Sequence, residues 1–228
     1  MHVEIWSDIA CPWCYVGKRR FEAALAAFEH RDEVRVTWRS FELDPGAPRE
    51  REGDRAEHLA RKYRSSVEQA RAMQDQMTAT AATEGLAFRF DLSRSGNTLD
   101  AHRLVHLAAA HGRQDAMKER LLRAYLGEGE LMSDHAALER LAVEVGLNAD
   151  EVRDALASGR FEAEVREDER TAAALGITAV PCFVVDRSIA VAGAQPPEVQ
   201  GRLLQQGWEA RSPLAVVAGD DACGPDGC

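Results

Sequence analysis

The chain has 228 residues, 45% hydrophobic and 29% charged, which is enough apolar material for a large core and too little bias for disorder or a disulfide-stapled miniprotein. Its 38 acidic and 28 basic side chains give a formal charge of -10, so neither nucleic acid nor an anionic membrane surface is an expected partner. No apolar run approaches the roughly 20 residues of a membrane span, and Met1-His2-Val3-Glu4-Ile5 lacks the basic and apolar regions of a secretory leader, so the expected location is the cytoplasm.

Val3 to Ile9 alternates as a strand, and after Cys11-Pro12 the apolar residues Phe21, Leu25 and Phe28 recur at helical spacing. Val34 to Phe41 alternates again and closes on the turn signal Asp44-Pro45-Gly46, which completes a β-α-β unit. From about Arg51 to Leu175 the periodicity is helical, and five or six helices are expected there. Leu59, Tyr63, Met73 and Met77 predict one long helix, and Leu138, Leu141, Ala142 and Val145 another. Asp54-x-x-Glu57 and Asn148-x-x-Glu151 read as capping boxes, while Gly112, Gly146, Gly159 and Gly176 fall where helices end in a left-handed residue.

Strand character returns at Cys182 to Asp186 and Ile189 to Ala192, and Pro196-Pro197-Glu198 opens a last helix. The two strand-bearing ends have to pair with each other to satisfy their backbones, so the expected fold class is α/β with one discontinuous domain. Its expected bounds are 1–48 and 176–210, around an all-helical insertion at 49–175 and ahead of a Gly- and Asp-rich flexible tail at 211–228.

Five cysteines are an odd number in a chain too large to depend on disulfides, so their placement matters more than their number. Cys11-Pro12-Trp13-Cys14 sits where a strand becomes a helix. A free thiol is roughly 3% thiolate at pH 7, and one whose pKa falls to about 6.5 is roughly three-quarters thiolate. The free N–H groups and positive dipole end of a helix N-terminus favour that anion, which makes Cys11 the candidate nucleophile. Cys14, one turn inside, is placed to attack a mixed disulfide on Cys11 and release the substrate. Pro12 fixes helix entry, and Trp13 offers an apolar platform beside the thiols. Two other readings of the pair are an inert buried CxxC and half of a zinc site completed by Cys223 and Cys228. His102 and His106 have a zinc-compatible i, i+4 spacing, but Arg103 stands where a metalloprotease motif has glutamate and no third ligand is evident, so no metal is expected. Asp8 is open to two roles, proton acceptor for Cys14 or loop cap.

Four segments extend this signal over nearly the whole chain: Asp8-x-x-Cys11-Pro12-Trp13-Cys14-Tyr15-x-Gly17, Phe41-x-Leu43-x-Pro45, Asn97-Thr98-x-x-Ala101-His102-Arg103 and Gly193-Ala194-Gln195-Pro196. In these the sequence resembles the DsbA-like thioredoxin superfamily, most closely its FrnE-type branch, whose relatives include 2-hydroxychromene-2-carboxylate isomerases and kappa-class glutathione transferases. The resemblance implies a thioredoxin-like fold with a helical insertion and a thiol–disulfide oxidoreductase or isomerase. It marks Val180-Pro181 as the cis-proline loop facing the nucleophile, with the Val180 backbone free to pair with an extended substrate. It also implies a helical wall over the thiols formed by Asn97, Thr98 and His102, whereas the residues alone read equally well as a helix cap at Asn97 or Thr98 and a packed histidine.

Cys182 departs from the aromatic residue usual after that proline and reads as a buried core cysteine or a redox-sensitive neighbour. Cys223-x4-Cys228 resembles the second CX4C of FrnE-type proteins, which implies a secondary redox pair reaching Cys11 or, alternatively, a passive or metal-scavenging tail. No bound cofactor is expected; glutathione or a thioredoxin-type thiol is the candidate electron donor. The expected partners are protein or peptide disulfides, with glutathione and a second copy of the chain as further candidates.

Two rival functions remain open in the sequence. One is a glutathione-dependent isomerase or transferase acting on a small aromatic or polyketide substrate, whose family members generally carry serine where this chain has Cys11. The other is a peptide-binding holdase in which the insertion grips unfolded chains.

Overall fold

The computed structural model describes residues 1–211; the Cys223 and Cys228 pair lies outside the described residues. Four strands form one sheet in the order β2-β1-β3-β4, with β1 at His2–Ser7, β2 at Arg35–Ser40, β3 at Cys182–Val185 and β4 at Ile189–Ala192. β1 pairs in parallel with β2, from His2 opposite Arg35 to Ser7 opposite Ser40, and antiparallel with β3, where Ile5 faces Phe183 and Trp6 faces Cys182. The architecture is a thioredoxin-like α/β fold whose helical insertion lies between β2 and β3.

Period-two alternation divides the sheet between two cores. Val3, Ile5, Phe183 and Val185 enter the main core beneath α1 (Pro12–Ala27) and α9 (Pro197–Glu209), where Phe21 stacks on Phe183 at 5.3 Å between ring centroids. Trp6, Cys182 and Val184 point the other way, onto Ala172 of α8 (Glu162–Ala174), and the Trp6 indole donates to the Asp168 carbonyl at 2.9 Å. Cys182 is therefore a buried side chain of this second cluster, and burial pushes its thiol pKa up.

The insertion contains seven helices among the described residues, more than the five or six expected: α2 (Arg55–Tyr63), α3 (Val67–Thr83), α4 (Leu99–Ala110), α5 (Gln114–Arg123), α6 (His135–Glu144), α7 (Ala149–Ser158) and α8. The single long helix expected through Leu59 and Met77 is two. Arg64 turns left-handed at φ 52°, and Ser66 and Gln69 form a reciprocal capping box that restarts the helix as α3. At the two expected boxes only one half of the device forms: Asp54 accepts from Ala56 N–H and Asn148 from Glu151 N–H. α5 runs on into a π-helical turn at Ala124–Glu128, which Gly129 closes at φ 76°.

Candidate active site

The topology brings two segments together. The loop Asp8–Ala10 leaves the C-terminal end of β1 and enters α1 at Cys11. Because β3 runs antiparallel to β1, the residues just before Cys182 arrive at that same end. Cys11 is the N-cap of α1, with extended φ -91° and ψ 111°, and Pro12 is the first helical residue. The peptide bond Val180–Pro181 is cis, and the Cys11 thiol donates to the Val180 carbonyl at 3.7 Å. The Val180 N–H makes no hydrogen bond among the described residues and is the backbone group left for a substrate strand, while its carbonyl is occupied by the thiol.

The two sulfurs are inequivalent. Cys11 is 5% exposed and borders a groove of about 1260 Å³, whereas Cys14 is 1% exposed and does not border it. The Cys11 thiol is pushed below its ordinary range, first by the hydrogen bond from the Cys14 thiol and then by the helix-start N–H groups of Cys14 and Trp13, against opposition from burial and the Asp8 charge. Cys14 is pushed well up, by burial first and then by its position against Cys11. The surroundings thus favour the thiolate at Cys11 relative to an ordinary cysteine and the thiol at Cys14.

Asp8, 1% exposed, caps the loop. Its carboxylate accepts from Leu43 N–H at 2.8 Å, Ala10 N–H at 3.2 Å and His102 Nε2 at 3.3 Å. Burial alone would raise its pKa; the His102 contact and the two N–H groups outweigh burial and hold the carboxyl below its usual range. With Asp8 ionised, Nε2 of His102 carries the proton, and burial keeps the ring neutral by lowering its pKa. Nδ1 of His102 has no hydrogen-bond partner among the described residues.

Gly17 lets α1 approach the cis-proline loop. A Cβ there would stand 2.9 Å from the Pro181 ring and 3.4 Å from Phe183. Gly17→Ala gains about 1 kcal/mol of helix propensity but overpacks against a rigid ring at a cost of about 1–3 kcal/mol. The expected result is a modestly lower melting temperature with a disproportionate, several-fold loss of disulfide turnover. Unchanged turnover in a folded variant would show that the approach of α1 to Pro181 does not matter to the chemistry.

Of the residues expected at the site, Trp13 and Thr98 border the groove, Trp13 with 46% of its surface exposed. Asn97 and His102 lie behind it. Asn97 Oδ1 accepts from Leu99 N–H at 2.8 Å, so Asn97 supplies the side-chain bond at the start of α4, and its amide donates to Glu42 at 3.4 Å. Thr98 is the N-cap by position but makes no capping bond. His106 faces Asp168 and Ser40 at 3.0 and 3.1 Å, away from His102's partner Asp8.

Two features of the site were not anticipated. Tyr63 and Met73, read from the sequence only as part of a helical pattern, are 59% and 41% exposed and form with Trp13 and Leu43 an apolar lining of the groove. The other is Lys118 of α5, 1% exposed, whose ammonium donates to the Ser7 carbonyl at 3.3 Å at the end of β1. Its sequence signal is the position of Leu121 and Leu122 three and four residues on, which puts the lysine on the buried stripe of α5.

Comparison with known proteins agrees with the fold. The sequence profile of the DSBA-like thioredoxin domain matches residues 2–205. The chain is 51% identical to the crystal structure of a probable DsbA oxidoreductase from Streptomyces coelicolor, with a TM-score of 0.90 and coverage of 100% of this chain and 98% of that one. The uncharacterized protein YwbO of Bacillus subtilis (strain 168) is 27% identical over 201 residues, 87% of this chain and 93% of its own length. A 2-hydroxychromene-2-carboxylate isomerase superposes with a TM-score of 0.67 at 15% identity, over 93% of this chain and 100% of its own, a likeness of fold alone.

Proposed function

Because the chain belongs to the DSBA-like thioredoxin domain family, we propose that it is a thiol–disulfide oxidoreductase of the FrnE-type branch, in which Cys11 exchanges disulfides with protein or peptide substrates and Cys14 resolves the intermediate. The observation that carries this reading is the inequivalence of the two sulfurs, one bordering the groove with its pKa pushed down and one buried beneath it with its pKa pushed up.

In the reductive direction the Cys11 thiolate attacks one sulfur of a substrate disulfide. The substrate's S–S bond breaks, one substrate sulfur leaves as thiolate, and a Cys11–substrate disulfide forms. Cys14, as thiolate, then attacks the Cys11 sulfur. The mixed disulfide breaks, the second substrate thiolate departs, and Cys11 and Cys14 end as a disulfide, two electrons having passed to the substrate. Run backwards, the same steps oxidise a dithiol. Glutathione or a thioredoxin-type thiol of the cytoplasm is the proposed electron donor, with no bound cofactor. Trp13, Leu43, Tyr63 and Met73 offer an apolar surface for an extended chain, and the unpaired Val180 N–H offers it a backbone partner.

The test is alkylation of the reduced protein across pH. Cys11 is expected to react with iodoacetamide along a titration curve centred well below the roughly 8.5 of free cysteine, while Cys14 stays unmodified until the chain is unfolded. A Cys11 no more reactive at neutral pH than free cysteine would remove the basis of the proposal.

A further inference from the structure

One wall of the groove holds a guanidinium that is set among aromatic rings and left without a carboxylate. Arg55, the first residue of α2, stands 4.9 Å from the centroid of the Phe90 ring and 5.8 Å from that of Tyr125. Its Nη1 donates to the Tyr125 hydroxyl at 3.0 Å and to the Ser93 hydroxyl at 3.3 Å. Among the described residues no carboxylate lies within ion-pairing distance of Arg55, Nη2 makes no hydrogen bond, and the buried Nε has no partner. Nε2 of Gln74 on α3 is a second buried donor without an acceptor. Arg55, Gln74, Phe90 and Tyr125 all border the groove that Cys11 borders. A donor left unpaired away from water costs about 1–3 kcal/mol, and more where it is charged. Two neutral hydroxyls thus fix the guanidinium in place without neutralising it. Tyr125 itself is presented from the π-helical turn Ala124–Glu128, a backbone form found frequently at functional sites.

The other charges of the groove do not supply the missing partner. Of the carboxylates that border it, Asp44 is paired with Arg51, Glu50 with Arg94 at 2.9 Å, and Asp8 with Leu43, Ala10 and His102. Glu52 remains, and it is outnumbered by Arg55, Arg61 and Lys62. Arg61 has the His58 ring as its partner at 2.6 Å, and Lys62 has no carboxylate among the described residues. The α2 wall therefore carries an excess of positive charge on a chain whose formal charge is -10. The molecule as a whole repels an anion, and this wall attracts one. At about 1260 Å³ the groove is larger than the roughly 300–1,000 Å³ of small-molecule sites. Its apolar residues beside Cys11 likewise suit a polypeptide segment more than a small thiol.

We propose that Arg55 is the carboxylate anchor of the groove, and that the substrates are polypeptide disulfides with an acidic side chain near the reacting cysteine. The proposal rests on the dithiol reading of the preceding subsection. The substrate carboxylate accepts from Nη2 of Arg55, whose plane is set by the two rings and the two hydroxyls, while the apolar residues beside Cys11 hold the chain against the thiols. A planar, permanently charged fork suits this task better than a lysine ammonium, because its donors are already oriented. The contact is made on binding and persists through the exchange, so it lowers KM and leaves kcat alone.

The experiment measures kcat and KM for reduction of matched disulfide peptides that carry glutamate or glutamine at successive positions on either side of the cysteine, with glutathione disulfide alongside. The wild type is expected to prefer glutamate about tenfold at the spacing that reaches Arg55, through KM, and to lose much of that preference in high salt. Arg55→Met keeps an apolar stem against Phe90 and should bring the ratio to about one; Arg55→Lys keeps the charge without the fork and should leave about threefold. A wild type without glutamate preference at any position, or a folded Arg55→Met that retains it, overturns the proposal. If Arg55→Met does not fold, Arg55→Lys decides: an undiminished ratio overturns the proposal, and a reduced one supports it. A loss in Arg55→Met as large with glutathione disulfide as with the glutamate peptide assigns the anchor to the small thiol and overturns the polypeptide reading. A wild type that reduces no peptide overturns the oxidoreductase reading itself. The anchor is then judged by fluorescence anisotropy of the same peptides with serine in place of cysteine, where tighter binding of the glutamate member supports it and equal binding overturns it.

Discussion

Cys11→Ser is expected to reduce insulin-disulfide turnover to the uncatalysed background, and Cys14→Ser is expected to leave the first attack intact but stall the protein as a covalent mixed disulfide. The contrast follows from the burial of the two sulfurs. The sulfur bordering the groove has its pKa lowered by the Cys14 thiol and the helix-start N–H groups, and serine, with a hydroxyl proton held far more tightly, gains nothing comparable from those donors. Cys14, buried and with its pKa pushed up, makes no first contact, so its loss removes only the escape step. Non-reducing electrophoresis reads the trapped species directly, as a band that disappears with added thiol. Substantial insulin turnover by Cys11→Ser would remove Cys11 from the chemistry. Chaperone-like suppression of aggregation that survives both substitutions would favour the holdase reading.

The second large effect concerns stability. Asp8→Ala leaves the Leu43 and Ala10 N–H groups and the His102 ring without their shared acceptor. At about 1–3 kcal/mol for each buried group left unsatisfied, the fold should lose on the order of 3–5 kcal/mol, a large part of a typical domain's stability. Asp8→Asn keeps one acceptor oxygen and should lose about half as much. The pH dependence has a definite sign. The folded Asp8 pKa lies below its unfolded value of about 3.9, so its contribution is complete above that value and is lost as pH falls through the folded one. The folded His102 pKa is also lowered, so the unfolded chain takes up a proton below about 6.5 that the folded chain refuses, and stability begins to fall there. Urea unfolding at pH 7.5, 5.5, 4 and 2.5 should show a decline below about pH 6.5 in both proteins and, below about pH 4, a further decline that is smaller in Asp8→Asn. Equal slopes for the two proteins would assign the acid sensitivity to other groups.

What could be read in the sequence was what is local. A strand ending at a helix whose first residues are Cys11 and Pro12 is written in seven or eight adjacent side chains, and the structure places it as expected. The break between α2 and α3 escaped because the apolar spacing of Leu59 to Met77 continues across it, while the signal that wins, Ser66 with Gln69, is a pair of polar residues at a spacing common on helix surfaces. Tyr63 and Met73 carry the same periodicity as core residues, and only the opening between their helices and the β1–α1 loop shows that their stripe meets solvent. Lys118 was illegible for the opposite reason. Its burial depends on β1 and α1 packing against α5, contacts made by residues roughly a hundred positions away. The 2-hydroxychromene-2-carboxylate isomerase likeness makes the same point about function: a shared fold does not carry a shared reaction, and the sulfur at position 11 has to be argued from its own surroundings.

The strand order has a consequence for biosynthesis. β1 is interior, yet one of its two neighbours, β3, is encoded near the far end of the chain, so Cys11 and Cys14 are translated long before the Val180–Pro181 loop that faces them. At about 5 to 20 residues per second, a ribosome needs on the order of 10 to 30 s to bridge that interval. During it the nascent chain carries a reactive dithiol with neither its third strand nor its last helix. The polypeptide is therefore most exposed to unwanted crosslinking while it is being made.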